Sequence, residues 1–110
     1  MTIGELIKEI EVLRIVGDTA KEIADIQFDS RRVEEGSLFV AQVGTAADGH
    51  TYIEQCVAKG AVAVVLEKEE YIKDDGACYI LVKNSDEALG KMAHCWFGKP
   101  SASLRLVGVT

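Results

Sequence analysis

Three apolar runs of strand length constrain this chain more than anything else in it: Leu38-Phe39-Val40-Ala41-Gln42-Val43, Ala61-Val62-Ala63-Val64-Val65-Leu66 and Cys78-Tyr79-Ile80-Leu81-Val82. A strand with one wet face alternates apolar and polar residues, whereas a strand covered on both faces need not. These runs barely alternate, so helices must cover both sides of whatever sheet they form. The segments between them supply those helices. Asp48 is a plausible N-cap for a helix over about 50–59 with Ile53, Cys56 and Val57 inward, and Gly60 stands where a C′ glycine belongs. Asn84 with Glu87 opens another helix through Ala88, Leu89, Met92, Ala93 and Trp96, with Gly98 as its stop.

Upstream, Thr2-Ile3-Gly4-Glu5 has the form of a capping box, and Ile3, Leu6, Ile7 and Ile10 recur at helical spacing over residues 3–10. Val12 to Val16 reads as a strand closed by Gly17-Asp18, and Ile23, Ile26 and Phe28 suggest a second one. The acidic stretch 67–75, with Lys68 and Lys73, reads as a solvated excursion. Strands alternating with helices predict a small three-layer α/β domain with a mostly parallel, mixed sheet. Residues 99–103 read as a linker and Leu104 to Thr110 as the first strand of something further. The expected division is therefore 1–98 for the domain and 99–110 for the lead into a second one.

Charge removes several functions. Eighteen acidic against 12 basic side chains leave a net charge of −6, with no basic stripe. Nucleic-acid affinity draws on Lys and Arg at phosphates, so no nucleic-acid partner is expected. A small anion remains compatible, because a few backbone N–H groups can hold one. No apolar run approaches the roughly 20 residues needed to cross a bilayer, so no membrane partner is expected. The first residues lack the basic head and apolar stretch of a signal peptide, which points to the cytoplasm.

Cys56, Cys78 and Cys95 lie among apolar neighbours without CxxC spacing and read as buried reduced thiols, and no metal site is expected. The chain has no GxSxG, HExxH, GxGxxG or GxxxxGK[ST] pattern, so no residue is assigned a catalytic role. His50 has no evident nucleophile beside it and reads as a surface histidine on a first helical turn.

Two polar, glycine-marked segments follow core strands: Phe28-Asp29-Ser30-Arg31 and Gly44-Thr45-Ala46-Ala47-Asp48-Gly49. Ligands of open α/β sheets bind beyond the carboxyl ends of the strands. Small residues let a ligand approach the backbone, Ser30 both donates and accepts, and Phe28 could flank a flat base. The plainer alternatives are an Asx turn at Asp29-Ser30 and a core position for Phe28.

Asp29-Ser30-Arg31, Gly36-Ser37-Leu38-Phe39-Val40-Ala41, Gly44, Asp48-Gly49-His50 and Gly60-Ala61-Val62-Ala63-Val64-Val65 follow one another at a particular spacing. That pattern resembles the N-terminal domain of the Mur ligases, over essentially the whole chain. Trp96-Phe97-Gly98-Lys99-Pro100-Ser101 is similar to a junction in the E-type branch, which adds the third residue to the peptidoglycan precursor. Leu106 to Thr110 looks like the strand leading into that branch's ATP loop, so 99–110 would begin a central ATP-binding domain. The dipeptide-adding F-type branch and a stand-alone nucleotide-binding module are the alternatives.

The resemblance implies an ATP-dependent ligase for peptidoglycan synthesis. It would join meso-diaminopimelate or L-lysine to UDP-MurNAc-L-Ala-D-Glu, with ATP and Mg2+ held by the central domain and none bound by this chain. The implied partners are that substrate and the central and C-terminal domains, in a monomer. This chain would anchor the uridine diphosphate end and be inactive alone. Carried over, the motif serine falls on Ser30, Phe28 would meet the uracil, and the backbone of Thr45, Ala46 and Ala47 would meet the nucleotide. Arg31 has two readings, a phosphate contact or a charge pair that braces the loop.

Overall fold

In the computed structural model, residues 2–43, 48–73 and 76–97 are described. The predicted capping box forms: the Thr2 hydroxyl accepts from the Glu5 N–H at 3.2 Å, and the Glu5 carboxylate accepts from the Thr2 N–H at 3.0 Å. Helix α1 (Ile3–Leu6) then tightens into a 3₁₀ turn at Ile7–Glu9, and Ile3, Leu6 and Ile7 are buried.

The strands are β1 (Val12–Val16), β2 (Asp25–Gln27), β3 (Ser37–Val40), β4 (Ala63–Leu66) and β5 (Cys78–Val82). They form one sheet in the order β1-β5-β4-β3-β2. Strands β2 to β5 run parallel, and β1 joins the edge antiparallel to β5, with a register irregularity between Val12 and Arg14. Every residue of β3, β4 and β5 is buried, as their lack of alternation requires.

Side-chain alternation divides these strands between two cores. Leu38, Val40, Ala63, Val65, Cys78, Ile80 and Val82 pack with α1 and with Ala88 and Met92 of α3 (Ser85–Phe97). Phe39, Val64, Leu66, Tyr79 and Leu81 pack on the opposite face with Val33 and with Ile53 and Cys56 of α2 (Ile53–Ala58). The result is the expected three-layer mixed α/β fold.

The amino ends of the parallel strands are laced together by their turns. The Ala24 N–H donates to Gly36 O and the Gly36 N–H to Gly60 O, both at 2.9 Å. Gly60, predicted as the glycine closing α2, has φ +113°, and a Cβ there would fall 2.7 Å from the Glu35 Cα. Only glycine suits that position.

Five expectations need correction or limits. The helix over about 50–59 starts as a 3₁₀ turn, Gly49–Tyr52, before α2, although Asp48 does cap it by accepting the His50 N–H at 3.0 Å. His50 is not at the surface; it is 1% exposed. Burial is tolerable because both ring nitrogens are hydrogen-bonded, Nδ1 to Asp48 Oδ1 at 2.7 Å and Nε2 to the N–H groups of Glu67 at 2.9 Å and Lys68 at 3.2 Å.

The stretch 67–75 is not wholly solvated either. The Glu67 carboxylate accepts from the N–H and the hydroxyl of buried Ser85, each at 2.7 Å, while Asn84 caps α3 through the Glu87 N–H at 3.0 Å. Of the three cysteines Cys56 and Cys78 are buried thiols, and Cys95 of α3 is only half-buried, packed at the margin of the core. Burial pushes the Cys56 thiol up to about 11 and raises Cys78 as well. Gly98, the linker at 99–103 and the strand at 104–110 lie outside the described residues.

Candidate functional site

Strands β2 and β3 pair in parallel, Asp25 with Ser37, Ile26 with Leu38 and Gln27 with Phe39, so both leave the sheet at the same end. Residues that follow them line an open cleft of about 550 Å³. Phe28, Asp29, Ser30 and Arg31 line it from the β2 side, and Gln42, Gly49, Tyr52 and Gln55 from the β3 side, with Phe39 between. The sequence-predicted Phe28 and Ser30 therefore share one cavity at the carboxyl ends of parallel strands, where α/β sheets bind ligands.

Phe28 is not a core residue. It is 61% exposed, and Tyr52 is 39% exposed. Two aromatic rings left partly in water on one cleft offer flat apolar surface to a ligand.

The turn after β2 is built by Asp29. Its carboxylate accepts the Arg31 N–H at 3.0 Å, capping a 3₁₀ turn at Ser30–Arg32. The Arg31 side chain returns to the same group, Nε to Oδ1 and Nη2 to Oδ2, each at 3.0 Å. These hydrogen bonds, the Arg31 side chain first, hold the Asp29 carboxyl at about 2, and Asp29 raises Arg31 in return. Of the two readings of Arg31, the structure forms the brace. Ser30 is half-buried, its carbonyl accepts Lys59 Nζ at 2.7 Å, and it contributes to the polar lining.

On the β3 side the chain leaves and returns over a narrow base. Val43 and Asp48 form an antiparallel bridge, and the Gly49 N–H donates to Gln42 O at 2.8 Å. A Cβ on Gly49 would lie 2.9 Å from both the N and the O of Gln42, so the two strands of this base touch backbone to backbone. Gln42 Nε2 in turn donates to Asp86 Oδ1 at 2.6 Å. Lys68 Nζ pairs with the Asp48 carboxylate and holds it far below the usual carboxylate range, with His50 adding to the effect, and the same pair raises Lys68. Thr45, Ala46 and Ala47 lie outside the described residues.

Sequence reasoning missed Gln42, Tyr52 and Gln55 as lining residues. Tyr52 and Gln55 do carry a signal, since a spacing of three puts them on one helical side just after the glycine-marked segment. Among the described residues, no group of three His, Cys, Asp or Glu could hold a metal ion, and no helix is long and apolar enough to cross a membrane.

This fold recurs among solved structures. A crystal structure of MurF from Acinetobacter baumannii superposes with a TM-score of 0.73 at 24% identity, over 91% of this chain and 21% of that one. A family model described as "Mur ligase family, catalytic domain" matches residues 22–96. The chain belongs to the Mur ligase family. Within it, the chain is 46% identical over 110 residues to the UDP-N-acetylmuramoyl-L-alanyl-D-glutamate–2,6-diaminopimelate ligase of Parabacteroides distasonis, and 43% identical to the ligase of that name from Bacteroides thetaiotaomicron. Each match covers all of this chain, which spans 23% of the length of those relatives.

Proposed function

We propose that this chain anchors the uridine diphosphate end of UDP-MurNAc-L-Ala-D-Glu in a ligase that adds 2,6-diaminopimelate to it. The observation that carries the reading is the cleft at the ends of β2 and β3, where Phe28, Ser30 and Tyr52 meet. The names borne by the relatives at 43% and 46% identity support the choice of substrate and of amino acid.

In this reading the Phe28 and Tyr52 rings flank the uracil, and the Ser30 hydroxyl hydrogen-bonds the nucleotide. The backbone of Thr45, Ala46 and Ala47 meets the nucleotide. Residues 1–98 form the anchoring unit and 99–110 lead into a central domain. ATP and Mg2+ belong to that central domain and supply activation of the D-glutamate carboxylate, in a cytoplasmic, monomeric enzyme. The anchor itself moves no proton. It contributes binding energy from a region of the substrate that does not react, which fixes orientation and selects the precursor.

An amide NMR titration with UDP-MurNAc-L-Ala-D-Glu, with UDP and ATP as comparisons, tests the proposal. Saturable shifts from both uridine ligands at Phe28–Ser30, Gln42 and Gly49, and none from ATP, are expected. Equal responses to ATP, or shifts only away from the cleft, would overturn it.

A further inference from the structure

We infer that Asp48, His50 and Lys68 form a clamp that sets the position of the β3-side wall of the cleft, with His50 as a positioning residue that does not touch the ligand. The inference rests on the reading that this cleft takes a uridine diphosphate.

The geometry runs through the two ring nitrogens of His50. Nε2 faces the main-chain N–H groups of Glu67 and Lys68, so it is the acceptor nitrogen, and Nδ1–H is left to donate to Asp48 Oδ1 at 2.7 Å. The ring therefore bridges two places that are far apart in sequence. One is the chain leaving β4, whose residues are wholly buried in the sheet. The other is the return leg of the cleft loop, where Asp48 bridges to Val43 and the next residue, Gly49, lines the cavity.

Asp48 has little freedom to respond if one of these contacts is lost. Its Oδ1 also accepts the His50 N–H at 3.0 Å, Lys68 Nζ takes Oδ2, and its carbonyl accepts the Thr51 hydroxyl at 2.9 Å. Tyr71 packs against the ring at a centroid distance of 5.4 Å, tilted by 48°. The return leg of this wall, at Asp48 and Gly49, is thus tied to the chain leaving β4 by the buried His50 ring, with the Lys68 side chain as a second link. Releasing the ring lets that wall move relative to Phe28 and Ser30, which stand on the other side of the cavity.

The test uses the full chain with UDP as probe, in wild type and in His50→Phe, His50→Gln and Lys68→Met. His50→Phe keeps the ring but loses its hydrogen bonds, and about tenfold weaker UDP binding is expected, with displaced Gln42 and Gly49 amide signals before any ligand is added. His50→Gln keeps an acceptor near the Nε2 position and is expected to recover most of the affinity. Lys68→Met alters a partly exposed side chain, so the variant folds even if the ring variants do not, and about threefold weaker binding is expected.

Variants with lower melting temperatures but wild-type UDP affinity would overturn the clamp and leave the nucleotide reading intact. Wild type that fails to bind UDP would overturn the nucleotide reading instead. In that event the ligand-free spectra still decide the geometry: unmoved Gln42 and Gly49 amides in His50→Phe and Lys68→Met would overturn the clamp by themselves.

Discussion

The Arg31 guanidinium grips the Asp29 carboxylate in a two-point contact, Nε on Oδ1 and Nη2 on Oδ2, each at 3.0 Å. The pair closes a ring over a single intervening residue, Ser30, which it presents to the cleft. Bidentate pairs of this kind fix geometry as well as charge.

Asp29→Ala removes the cap of the 3₁₀ turn and frees Arg31 together. UDP binding measured by calorimetry is expected to weaken several-fold while the melting temperature hardly moves, since the turn lies on the surface. The brace also resists acid. A carboxylate held at about 2 against an ordinary 3.8 contributes above 3.8, and the contribution disappears only as the pH falls through about 2. A carboxyl titration followed by NMR is expected to place Asp29 below the other aspartates that lack such a partner.

Ser30→Ala tests the hydroxyl itself. A net hydrogen bond to a ligand is worth about 1 kcal/mol, so a roughly fivefold weaker dissociation constant for UDP is expected, with unchanged stability to denaturant. An unaltered constant would remove Ser30 from the site.

Gly49→Ala places a methyl 2.9 Å from the backbone N and O of Gln42, which cannot swing away as a side-chain tip would. A loss of about 1–3 kcal/mol in stability is expected from urea midpoints, together with weaker UDP binding, because the strained wall lines the cavity. Gly90, which meets nothing within 4 Å, serves as the control: Gly90→Ala on the exposed side of α3 is expected to stabilise slightly.

The Asp48 carboxylate sets an acid limit on the fold. Its folded value lies below the ordinary 3.8, so its pairing with Lys68 and His50 stabilises the protein above that pH and is lost as the pH falls through and below it. Asp48→Asn is accordingly expected to be less stable than wild type near pH 7, and the gap in urea midpoint is expected to start narrowing only below pH 3.8 and to close as the pH falls towards the folded value. A gap of constant size would show that the carboxylate charge contributes nothing.

The core offers a simpler check. Met92 is fully buried between α3 and the sheet, and Met92→Ala is expected to cost about 2–5 kcal/mol by denaturant titration.

The sheet was legible because its evidence is local: Leu38–Val40 and Ala63–Leu66 are apolar at every step, which only a doubly covered strand allows. The caps at Thr2, Asp48 and Asn84 were legible for the same reason, since donor and acceptor lie within three residues. His50 was misread because its Nε2 partners sit 17 and 18 residues further on, in main-chain groups that carry no side-chain signal. The antiparallel placement of β1 was equally invisible, since direction depends on which neighbour a strand meets and not on its own residues. Phe28 stood between core and site, and only its exposure separated them.

The lacing of Ala24, Gly36 and Gly60 has a consequence for how such a domain can diversify. At that end of the sheet the turns before β2, β3 and β4 are joined main chain to main chain, and Glu35 lies against Gly60 too closely for even one extra carbon. An inserted residue there would break these hydrogen bonds and pull a strand away from its neighbour. Changes in loop length are therefore channelled to the opposite rim, so descendants of this fold can alter what they grip while inheriting its floor unchanged.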